Sequence, residues 1–106
     1  MDEPEKKLLS VVLVGKNKAL SQIILPIGMK IIVGRGDNED IKLASKYVSG
    51  RHLKLMYVGK DGVVVEDLGS TNGTYIDGRK LLENVPTILK KDEHLIIGSE
   101  DIVYSY

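Results

Sequence analysis

The sequence predicts an all-β fold, a two-sheet β-sandwich with short strands and its binding loops clustered at one end, on three observations. Val, Ile and Leu supply 35 of the 106 residues, and β-branched Val and Ile fit pleated, half-buried strands better than helices. The apolar residues fall into about nine short runs divided by turn residues, which is the spacing of a sandwich. No segment of roughly ten residues or more carries a clean 3.6-residue apolar period. Phe and Trp are absent, so the core is expected to be aliphatic with Tyr and Met contributing.

Each run is bounded by its own punctuation. Val11 to Val14 ends at Gly15-Lys16-Asn17, and Gln22 to Leu25 ends at Pro26 and Gly28. Lys30 to Val33 runs into Gly34-Arg35-Gly36-Asp37-Asn38, after which Ile41 to Leu43 resumes the apolar pattern. In Leu53 to Val58, Leu53, Leu55 and Tyr57 alternate with Lys54, Met56 and Val58, a partial period of two. Gly59-Lys60-Asp61-Gly62 separates that run from Val63 to Glu66. Thr74 to Ile76 precedes Asp77-Gly78, a hairpin signal because Gly takes positive φ at little cost. His94 to Ile97, Gly98-Ser99 and Ile102 to Tyr104 complete the pattern.

A chain of this length makes one domain, expected over residues 8–106, with the polar segment 1–7 as a flexible tail or linker remnant. Fifteen basic residues balance fifteen acidic ones. That neutrality argues against bulk electrostatic binding to nucleic acid or to an anionic membrane. The absence of cysteine excludes disulfides and thiolate metal sites, and two His residues alone make a zinc site a poor reading. No apolar stretch approaches the roughly 18 residues of a membrane span. The expected setting is intracellular, cytoplasmic or nuclear, and the isolated domain is expected to be a monomer.

Three loop segments carry side chains of coherent chemistry. Gly34-Arg35 offers a guanidinium at a strand end, with a surface salt bridge to Glu39 or Asp40 as its plainer use. Ser49-Gly50-Arg51-His52 offers a hydroxyl just before the strongest strand; His52, at the strand start, reads as a packed imidazole that pins the neighbouring loop. Ser70-Thr71-Asn72-Gly73-Thr74 lies on a loop, and its Asn-Gly pair is also an ordinary turn signal. A phosphate monoester carries about −1.5 to −2 charges near neutral pH and three strong acceptor oxygens. A forked cation with hydroxyl and amide donors on rigid loops is the equipment to hold one.

The order and spacing of these segments, from about Ile31 to Gly98, resemble a forkhead-associated (FHA) domain, a phosphothreonine-reading β-sandwich. The resemblance implies a phosphothreonine-containing protein or peptide as partner, with no cofactor, no metal and no catalysis. It implies phosphate contacts from Arg35, Ser49 and Thr71 and a grip on the bound peptide's backbone by Asn72. Gly50 and Arg51 are weaker candidates, and Gly34, His52 and Gly73 shape the site. Asp67 and Thr74 read as structural. Many FHA domains carry a basic or amide side chain directly after the Ser; here that position is Gly50, and Lys46 or Arg51 are the cations that could compensate. FHA domains commonly sit in larger signalling proteins, so this chain is read as one module of such a protein.

Other chemistries fit less well. Ser49 with His52 lacks a third triad member and a nucleophile elbow. Gly34-Arg35-Gly36 lacks the third glycine and the following helix of a dinucleotide fingerprint. Asp37, Glu39 and Asp40 lack the spacing of a calcium loop. A phosphate-independent scaffold using a sheet face is the alternative to phosphothreonine recognition.

Overall fold

Alternation of core and solvent residues along short β-branched runs builds two sheets, antiparallel except where Val33 and Gly34 pair in parallel with Ile41 and Lys42, in the computed structural model, which describes residues 9–17 and 22–106. The expected tail, Met1 to Lys7, lies outside the described residues. Among the described residues eleven strands form: β1 (Ser10–Asn17), β2 (Gln22–Pro26), β3 (Lys30–Gly34), β4 (Ile41–Lys42), β5 (Leu53–Tyr57), β6 (Val63–Asp67), β7 (Thr74–Ile76), β8 (Arg79–Lys80), β9 (Thr87–Leu89), β10 (Leu95–Ile97) and β11 (Ser99–Ser105). One sheet has the order β2-β1-β11-β10-β7-β8 and the other β4-β3-β5-β6-β9. The expected all-β sandwich is therefore the observed fold.

The partial period of two in β5 is realised as burial. Leu53, Leu55 and Tyr57 are buried while Lys54 and Met56 are half-exposed, and β6 follows suit with Val63, Val65 and Asp67 inward. Lys54 stands opposite Glu66 in the antiparallel register and pairs with it at 3.4 Å. The core lies between the layers. Leu13, Ile23, Leu25, Leu95, Ile97 and Tyr104 come from one sheet and Val33, Leu53, Leu55, Val63, Val65 and Leu89 from the other, all essentially inaccessible. Such a side chain contributes about 1.5–3 kcal/mol relative to exposure. With Phe and Trp absent, Tyr104 is the largest fully buried side chain.

Two strands have no counterpart among the apolar runs. β8 is the exposed pair Arg79–Lys80, joined to β7 through Asp77 (φ 47°) and Gly78 (φ 82°). β9 supplies the edge next to β6. Strands β3, β5, β6, β10 and β11 each begin or end at the same pole of the sandwich, so the loops at residues 35–52, 68–73 and 98 gather there.

Candidate functional site

The loop after β3 is fastened to the loop before β5 by backbone alone. Arg35 N–H donates to the Ser49 carbonyl at 2.9 Å and Gly36 N–H to the Gly50 carbonyl at 3.1 Å. Gly34 makes that approach possible: a Cβ there would stand 2.0 Å from the Gly50 carbonyl oxygen. Arg35 therefore leaves the end of β3 exposed and directed from a fixed backbone. Asp40 accepts a hydrogen bond from Ile32 N–H at 2.8 Å, and among the described residues Arg35 enters no ion pair. Its plainer use as a salt-bridge partner is not the one observed.

His52 joins two loops from the inside. It is fully buried. Its Nδ1 accepts the Ser49 N–H at 3.1 Å, so the neutral ring carries its proton on Nε2, which donates to the Gly73 carbonyl at 2.9 Å. Burial lowers its pKa below the usual histidine value, against the opposing pull of the Gly73 carbonyl and the Asp67 charge. The neutral form is the one this geometry requires, because a protonated Nδ1 could not accept from Ser49. His52 thus hydrogen-bonds to two loops at once, at Ser49 and at Gly73.

Ser49 is held three ways. Besides its N–H and carbonyl, its Oγ accepts the Thr71 N–H at 3.0 Å. The hydroxyl proton stays available for an acceptor in solvent. Thr71 and Asn72 are both exposed at the loop tip. Asn72 donates from Nδ2 to the Tyr47 carbonyl at 3.0 Å, and among the described residues its Oδ1 receives no hydrogen bond.

The loop between β6 and β7 is organised by one carboxylate. Asp67 continues the inward alternation of β6 and is 4% exposed. Its Oδ2 accepts the N–H groups of Gly69 and Ser70, each at 3.0 Å. Its Oδ1 accepts the hydroxyls of Ser70 at 2.6 Å and Thr74 at 2.7 Å. Burial pushes the Asp67 pKa up, but these donors outweigh it and hold the carboxyl below its ordinary value. Ser70 Oγ in turn accepts the Gly73 N–H at 3.0 Å. Ser70, Asp67 and Thr74 thus shape the turn that presents Thr71 and Asn72.

Ser49, Thr71 and Asn72 are tied by these bonds to Arg35, Tyr47 and His52 at one pole of the molecule. Gly50 and Arg51 are exposed beside them, and Lys46 holds its ammonium 5.4 Å from the Tyr47 ring centroid. Among the described residues Arg35, Lys46 and Arg51 enter no ion pair, so their charges are free to meet an anion. Two contributors were invisible to motif reading. Tyr47 supplies the carbonyl that holds Asn72, and Gly98 (φ 75°) passes so close that a Cβ would lie 2.3 Å from that carbonyl oxygen. Gly98 N–H also donates to the Gly73 carbonyl at 3.0 Å. The only sequence signal for Gly98 is its place in a strand break. No group of three or more His, Cys, Asp or Glu among the described residues is arranged to hold a metal ion, and no helix there is long and apolar enough to cross a membrane.

Comparison with known proteins places the motif-bearing span in one family model, the FHA domain, which matches residues 31–98. The FHA domain-containing protein FhaB of Mycobacterium tuberculosis is 45% identical over 51 residues, covering 48% of this chain and 32% of that protein. The chain thus spans about a third of that relative's length. Among solved structures, the FHA domain of the CT664 protein from Chlamydia trachomatis aligns with a TM-score of 0.77 and 26% identity, covering 91% of this chain and 94% of that one. An FHA domain studied for its phosphothreonine-dependent interactions aligns with a TM-score of 0.74 and 26% identity, covering 91% and 93%.

Proposed function

The chain belongs to the FHA domain family, and on that premise we propose that it recognises phosphothreonine in a partner protein through Arg35, Ser49, Thr71 and Asn72, with Gly50 and Arg51 at the margin. The observation that carries this reading is the loop cluster itself. Arg35, Ser49, Thr71 and Asn72 sit on backbones cross-bonded at 2.9–3.1 Å.

In the proposed complex the Arg35 guanidinium and the Ser49 and Thr71 hydroxyls donate to phosphate oxygens, and Asn72 Oδ1 accepts a peptide N–H. Asn72 Nδ2 already serves the Tyr47 carbonyl, which orients Oδ1 without blocking it. Gly34, His52 and Gly73 hold these groups in place without touching the ligand. The module performs no chemistry of its own: a kinase adds the charge, mass action forms the complex and a phosphatase reverses it. We take residues 8–106 as the domain unit and an intracellular setting as its place of action.

Fluorescence titration of phosphothreonine, phosphoserine and unphosphorylated peptide pools, with Arg35→Ala beside the wild type, tests the reading. Binding confined to phosphothreonine and lost in Arg35→Ala is expected. Phosphate-independent binding that survives Arg35→Ala would replace it with the sheet-face scaffold.

A further inference from the structure

A trough of about 510 Å³ lies at the pole opposite the phosphate loops. Strand β5 fixes the separation: His52 precedes one end and Tyr57 closes the other, five residues and about 16 Å away. The trough runs between the turn at Gly59–Gly62 and the segment after β9, with Val11 and Tyr57 among its lining residues. Lys60 stands on the first wall and Lys90 and Lys91 on the second, against a single lining acid, Asp61. Glu93, whose carboxylate accepts the Lys90 N–H at 2.7 Å, stands beside the second wall, so the excess of lysines lining the hollow is partly offset.

Two further observations point to an occupant. Tyr57 is 4% exposed, and its hydroxyl hydrogen-bonds to none of the described residues. Among the described residues no buried side-chain polar atom lacks a partner, so that hydroxyl reaches solvent, and Tyr57 lines the trough. Beside the trough, Leu9, Ile27 and Val58 are exposed apolar side chains at the same pole. Leu9 accepts the Ile27 N–H, Ile27 bridges to Tyr57, and the Ile27 Cδ1 lies 3.6 Å from where a Gly59 Cβ would be. Contiguous exposed apolar surface next to a polar-rimmed hollow is the mark of a protein contact.

We propose that this pole is a second docking site, for an acidic segment of a partner protein that carries an apolar anchor residue. Ammonium groups on two facing walls call for carboxylates at more than one position along a chain, which a single small anion does not supply. The anchor packs against Tyr57, Val11 and the Leu9–Ile27 surface, and the Tyr57 hydroxyl donates to a carboxylate or main-chain carbonyl of the segment. Because the two sites occupy opposite poles, one domain holds two partner segments at once, one dependent on phosphorylation and one not. This site stands independently of the phosphothreonine reading.

Two-dimensional amide NMR with an unphosphorylated Glu-Glu-Phe-Glu-Glu peptide tests it. Shifts are expected at Gly59, Gly62, Lys90 and Lys91, with Ser49, Thr71 and Asn72 unmoved. The combined substitution Lys60→Glu, Lys90→Glu and Lys91→Glu weakens this peptide about ten-fold or more and leaves phosphothreonine-peptide binding unchanged. Tyr57→Phe, which keeps the buried ring, weakens it by about two- to five-fold. Absence of shifts at this pole with millimolar peptide, shifts confined to the phosphate loops, or unaltered binding by the triple variant would each overturn the proposal.

Discussion

Gly50 has no atom within 4 Å of where a Cβ would sit, and its φ lies outside the left-handed region. A side chain can therefore be added there without strain, at the position where many FHA domains carry a basic or amide group. Gly50→Lys is expected to tighten phosphothreonine-peptide binding about ten-fold, the equivalent of one added charge-assisted hydrogen bond, with thermal stability unchanged. Titration of one peptide against both proteins decides it; equal affinities would mean that Arg35, Lys46 and Arg51 already saturate the phosphate. Gly34 is the opposite case. A methyl group 2.0 Å from the Gly50 carbonyl oxygen forces the two loops apart, so Gly34→Ala is expected to cost about 2–4 kcal/mol in urea unfolding. Phosphopeptide affinity should fall with it, since the Arg35 N–H bond to Ser49 opens.

At the scale of the element, the β6–β7 loop depends on one charge. Four donors converge on Asp67, and its carboxyl is held below the ordinary value of 3.8. A depressed folded pKa means that the stabilisation is complete above the ordinary value and is lost as pH falls through the lowered one. Asp67→Asn is expected to remove about 2–3 kcal/mol at neutral pH, and the variant's stability should then vary less with pH below about 4. Urea midpoints at pH 7, 4 and 3 check both. The sequence made β5 legible through its partial period of two and β6 through a run of three valines, and it bounded the loops because Gly and Asn mark them. It hid β8, an exposed Arg-Lys pair with no apolar signal, and β9, three residues following Pro86. The roles of Tyr47 and Gly98 were equally hidden. Both act through main-chain atoms on residues 25 positions away, and a backbone carbonyl has no residue-type signature.

For the whole molecule, a balanced composition does not pair every charge with an opposite one. The phosphate pole presents Arg35, Lys46 and Arg51 to solvent without ion-pair partners among the described residues. Phosphopeptide affinity should therefore fall several-fold as ionic strength rises from about 0.05 to about 0.5 M, where the screening length shrinks from roughly 14 to 4 Å. It should weaken again below about pH 6, where the phosphate takes up its second proton. Affinity measured across that salt range and independent of it would remove the charged-ligand mechanism.

The Gly73 carbonyl, accepting from both His52 and Gly98, has a kinetic consequence. It locks loops from three separate strand connections together before any partner arrives, so little of the recognition surface is left to be ordered during capture. Association should then run at the pace of oriented encounter, and partners should differ chiefly in how long they stay. A domain of this kind reports kinase activity with little lag and forgets it only as fast as its partner lets go.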